Sequence, residues 1–84
     1  MNIDLYSEIN AERAYQDSKW GTDFDDENTA NDWASYIVRY TARACEFNNT
    51  PDQFRTAMLK VASLAIAAIE TVDRNHSLPK RHYD

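Results

Sequence analysis

Residues 50–74 read TPDQFRTAMLKVASLAIAAIETVDR, and this stretch decides the fold. Thr50 is a good N-cap, Pro51 suits the first helical position, and Asp52 and Gln53 fill the first turn, where a carboxylate opposes the helix dipole. No Gly or Pro follows before Arg74, so the spacing predicts one helix of about 35 Å at about 1.5 Å per residue. Phe54, Met58, Val61, Ala65, Ala68 and Val72 form one apolar ridge along it, and Leu59, Ile66 and Ile69 form a second. A helix apolar on nearly every side is buried on nearly every side. Two further helices can hardly surround it, so the second ridge predicts a subunit interface. Small Ala residues there would let helices approach, giving a homodimer or homotetramer through this helix.

Upstream, Trp33, Tyr36, Ile37, Tyr40, Ala44 and Phe47 recur at i, i+3, i+4, i+7, the mark of one helical face. This second helix starts near Thr29 or Asn31, with Thr29 and Asp32 spaced as a short capping box, and ends within residues 46–49. Trp33 lies on the core stripe. A first helix is expected over residues 3–19, with Leu5, Ile9, Ala11 and Tyr15 as a ragged stripe, stopped by Trp20 and Gly21. Residues 21–31 then read as an acidic loop that Phe24 pins to the core; the alternating acid frame of a calcium loop is absent. The fold class expected is all-α: one domain of three main helices over residues 1–84, assembling into an oligomeric bundle, with residues 75–84 as a C-terminal tail.

The composition narrows the function. A chain of 84 residues buries only about 60% of the surface it exposes when unfolded, so association with further copies would help it. The net charge of −5 argues against binding duplex nucleic acid. The charge is uneven: residues 1–30 hold eight acids against Arg13 and Lys19, and residues 31–84 hold seven bases against six acids. A basic pocket in an acidic molecule fits that split. Cys45 is the only cysteine, so no internal disulfide forms; in a helix with no neighbouring His it reads as a packed thiol. The N-terminal stretch lacks the apolar segment of a signal peptide, and residues 57–69 are too short to span a bilayer. No membrane partner and a cytoplasmic location are expected.

The chemistry concentrates in cations. Arg39 and Arg43 stand at i, i+4, a like-charge pair that costs a few tenths of a kcal/mol. Neither Arg39 nor Lys60 has an acid three or four residues away. Either these groups face water and pair between helices, with Asp17, Glu70 or Asp73 as partners, or an anion meets them. Arg offers a planar fork and Lys a point charge to phosphate. Tyr36 and Tyr40 flank the arginines, and Trp20 sits at a helix end; aromatic faces beside cations suit a nucleotide, whose bases stack and whose phosphates pair.

The segment Glu12-Arg13-Ala14-Tyr15-Gln16-Asp17-Ser18-Lys19-Trp20-Gly21 resembles the opening of small phage proteins related to MazG-like nucleoside triphosphate pyrophosphohydrolases. Those enzymes hold Mg²⁺ with E-E-x-x-E on one helix and E-x-x-D on the next. Aligned at Trp33 and at Val61-Ala62-Ser63, this chain puts Arg39, Tyr40 and Arg43 on the first motif and Ala57 and Lys60 on the second. The resemblance thus implies an associating all-helical subunit with a nucleotide-sized cleft, but no metal ligands, no cofactor and no catalytic residue. A literal E-x-x-D at Glu70 and Asp73 lies about three turns too late on the helix.

The expectation is a non-catalytic phage-type sponge, in the host cytoplasm if phage-encoded, that sequesters a nucleotide immune signal, a cyclic dinucleotide such as cGAMP. Arg39, Arg43 and Lys60 would neutralise phosphate, Tyr36, Tyr40 and Trp20 would stack on the base, and Arg81 and Tyr83 would close the site from the tail. Two alternatives remain open at this point: a divergent pyrophosphohydrolase using Asp25, Asp26, Glu27 or Glu70 as substitute ligands, and an inhibitor that meets a host protein with its acidic N-terminal face.

Overall fold

Both predicted caps are present. Thr50 accepts a hydrogen bond from the Gln53 backbone N–H at 3.2 Å, and the Gln53 side chain accepts from the Thr50 N–H at 2.8 Å. Thr29 and Asp32 make the same reciprocal pair, at 3.2 and 3.0 Å. Each box satisfies donors that a helix start leaves open. The computed structural model describes residues 3–81, in which three helices follow one another: α1 (Ile3–Glu27), α2 (Ala30–Ala44) and α3 (Pro51–Asn75). Among the described residues there is no strand, and no helix is long and apolar enough to cross a membrane.

The first helix does not stop at Gly21. Gly21 takes φ 80 and ψ 172, and the chain resumes helical form beyond it, so residues 22–27 belong to α1 across a kink. This conformation is open essentially to glycine alone. The acidic loop expected over residues 21–31 therefore shrinks to Asn28 and Thr29. The physical reason lies far away in sequence: Asp26 Oδ1 accepts a bond from Asn75 Nδ2 at 2.8 Å and pairs with Arg74, which ties the resumed turn to the end of α3.

Helix α3 is the shared partner, against which both α1 and α2 pack. Trp33, Leu64 and Ala67 form the buried core cluster, with Tyr36, Ile37, Tyr40 and Ala68 packed on it. Burying a side chain such as Leu64 is worth about 1.5–3 kcal/mol. Ser63 and Thr71 are fully buried yet satisfied, because each hydroxyl donates to the carbonyl four residues earlier, Leu59 and Ala67, at 2.8 Å.

The outer face of α3 stays uncovered within the chain: Phe54 is 50% exposed, Ile69 60% and Val72 38%. Ile69 belongs to the ridge assigned to an interface and the other two to the first apolar ridge, so the uncovered apolar surface extends beyond the second ridge. Helix α2 ends earlier than expected. Cys45 is its C-cap and is exposed, correcting the packed-thiol reading, and Phe47, placed on the core stripe, stands wholly in solvent because the helix has ended.

Candidate functional site

Because α1 and α2 lean on α3 side by side, a cavity of about 210 Å³ lies among the three helices. Leu64 and Ala67 of α3 line it, with Trp33, Tyr36, Arg39 and Tyr40 from α2 and Arg13, Gln16, Trp20, Phe24, Asp25 and Asn28 from α1 and its connection. The kink at Gly21 makes this wall. It carries Phe24 beside Trp20 with ring centres 6.0 Å apart, and beside Tyr36 at 6.4 Å, both pairs within about 25° of parallel. Trp33 meets Tyr36 edge-on at 6.3 Å.

Helix α1 brings charged side chains to the cavity wall. Arg13, only 12% exposed in its side chain, donates to Gln16 at 3.3 Å and stands 3.4 Å from Asp17 and 3.7 Å from Glu70. Asp25 is the one carboxylate in the lining. Burial pushes its pKa up; the nearby Arg13 works against that rise. Tyr36 donates its hydroxyl to Asn28 Oδ1 at 3.3 Å, and burial raises its pKa as well. Three nitrogens in the lining are buried with no protein acceptor: Arg13 Nε, Asn28 Nδ2 and Trp33 Nε1. Nothing in the residue pattern signals these, since Arg13 and Asn28 look like surface residues and the indole of Trp33 like plain core.

A second, shallower groove of about 350 Å³ adjoins the first through Tyr40, which lines both. Arg43 and Lys60 line this groove with Glu46, Asp52 and Thr56. Arg43 lies over the Tyr40 ring, 4.9 Å from its centre. Lys60 donates to Glu12 at 2.9 Å and sits 5.8 and 5.9 Å from the Tyr15 and Tyr40 rings. The lysine without a local acid thus has one from α1.

The residues assigned from sequence therefore divide. Trp20, Tyr36 and Arg39 line the deeper cavity, Arg43 and Lys60 the groove, and Tyr40 both. Arg81 lines neither, and Tyr83 lies outside the described residues. Neither Arg39 nor Arg43 forms an ion pair among the described residues. Of the acids offered as substitute metal ligands, Asp26 is paired to Arg74 and Glu70 to Arg13. Among the described residues no three His, Cys, Asp or Glu gather where one cation could bind.

No family model, curated protein or solved structure matches this chain.

Proposed function

We propose that this protein binds and holds a phosphate-bearing nucleotide without cleaving it. One observation carries the reading: a cavity walled by Trp20, Phe24, Tyr36 and Tyr40 opens beside Arg39, a cation with no carboxylate partner among the described residues. Aromatic walls take the flat faces of a base, a contact worth about 1–3 kcal/mol per base. Arg39 meets the phosphate, with Arg43 one turn farther along α2.

Size sharpens the reading. Pockets that enclose a drug-sized ligand run about 300–1,000 Å³, and this one is about 210 Å³. It takes a single base. A cyclic dinucleotide, the class implied by the resemblance to phage proteins, would need its second base held elsewhere. The corresponding cavity of a second copy is the natural place, and the exposed Phe54, Ile69 and Val72 on α3 support such association. Lys60 is engaged by Glu12, so its part is to fix the wall shared by the two cavities rather than to meet phosphate first.

Capture rather than turnover follows from the residues at the metal-motif positions, Arg39, Tyr40, Arg43, Ala57 and Lys60, none of which is an acid. Isothermal titration against mononucleotides and cyclic dinucleotides tests the proposal. At least one should bind, more weakly as salt is raised, and be recovered intact after denaturation. Failure of every member of the panel would overturn it, and release of a cleaved product would replace it with an enzyme.

A further inference from the structure

Residues 22–27, the part of α1 beyond the kink, read Thr-Asp-Phe-Asp-Asp-Glu. Six residues are too few to make a stable helix on their own. Four of them are acids, and the turn they form ends α1 with no basic residue to oppose the dipole. On one side the chain bends at Gly21, on the other at the non-helical pair Asn28 and Thr29. Phe24, still 39% exposed, stacks on Trp20 and Tyr36, and Asp26 meets Arg74 and Asn75 at the surface. Exposed pairs of the Asp26–Arg74 kind add little stability.

Keeping this segment closed has costs. It places Phe24 and Asp25 in the cavity wall. Burial pushes the Asp25 pKa up, as for a carboxylate that is better solvated outside. Arg13 Nε, Asn28 Nδ2 and Trp33 Nε1, in residues that line the same cavity, are sealed away from water with no acceptor. Such donors are rare in folded proteins, and opening lets water satisfy them. A weakly held segment whose closed state strands donors opens locally at low free energy. We propose that residues 22–27 are a lid on the aromatic cavity, swinging out about Gly21 and the link at Asn28 and Thr29 while the packing of α2 on α3 stays intact. The opening stands independently of the nucleotide reading; its use as the entry for a base rests on that reading.

Native-state hydrogen exchange of the ligand-free protein in low urea tests the lid. The Trp33 indole N–H reports on the lid, and the backbone amide of Ala67, in the buried core of α3, reports on global unfolding. With each rate taken relative to that of the freely exchanging group, Trp33 should exchange at least about tenfold faster than Ala67, and with almost no urea dependence. Asp26→Ala releases the segment from Arg74 and Asn75, and should widen that gap by about threefold. Glu8→Ala removes the exposed pair with Arg55 nearer the start of α1, and should leave the gap unchanged. Exchange of Trp33 with the protection and urea slope of Ala67 overturns the lid and leaves the nucleotide reading standing. An equal effect of the two substitutions on the gap overturns it too. The nucleotide reading fails separately, if no nucleotide binds.

Discussion

Lys60 Nζ lies 2.9 Å from Glu12 Oε1, and the same oxygen accepts from Gln16 Nε2 at 3.5 Å. Gln16 in turn accepts from Arg13, so a polar chain runs from the outer groove to the wall of the aromatic cavity. It joins α1 to α3 with side chains that are mostly covered, Glu12 at 16% and Lys60 at 29% exposure. Glu12→Gln leaves Lys60 without its carboxylate and should destabilise the fold by about 1–3 kcal/mol, measured as a drop in the urea midpoint. Lys60→Met strands the more deeply covered Glu12 carboxylate and should cost at least as much, whereas the double change Glu12→Gln with Lys60→Met should cost less than the sum of the two.

Gly21→Ala should cost about 1–3 kcal/mol of stability, since the backbone there occupies a region closed to side chains. Nothing stands within 4 Å of the added carbon, so the cost is backbone strain alone. Relief of that strain would straighten α1 and withdraw Phe24 and Asp25 from the cavity. The variant should therefore lose ligand affinity along with thermal stability.

Acid titration should reveal two opposing contributions. Arg55 holds the Glu8 carboxyl below the usual range, and Arg74, helped by Asn75, does the same for Asp26. Folded pKa values lower than unfolded ones mean that the unfolded state takes up protons first. These pairs stabilise above the unfolded pKa, and that stability is lost as pH falls through the folded value. Asp25 runs the other way. Its raised folded pKa makes the folded state take up the proton first, so its penalty is present at neutral pH and shrinks as pH falls from that pKa to the lower unfolded value. Asp26→Asn should flatten the acid limb of the stability profile, and Asp25→Asn should raise stability at neutral pH. Urea denaturation from pH 3 to pH 7 separates the two.

The local signals were legible in the sequence. Thr50 with Pro51 and Gln53, Thr29 with Asp32, and the core role of Trp33 each depend on neighbours within one turn or on a periodic stripe. The kink at Gly21 was not legible as such. A lone Gly after Trp20 reads as a helix stop, and what restores the helix is Asp26 meeting Arg74 and Asn75, 48 and 49 residues away. The partner of Lys60 was hidden for the same reason, at a separation of 48. Among the site residues, the aromatic and cationic character was readable, but the split between two cavities was not. That depends on which way Tyr40 separates Arg39 from Arg43, a matter of packing rather than spacing.

The most direct measurement uses the two indole N–H groups of the chain, Trp20 and Trp33, both of which line the cavity. Their nitrogen–proton NMR resonances can be assigned with Trp33→Phe and followed as the nucleotide that binds in calorimetry is added. Both resonances should move and saturate together as the aromatic wall takes up the base. Resonances that stay in place while ligand binds would put the ligand elsewhere and contradict the proposed binding site.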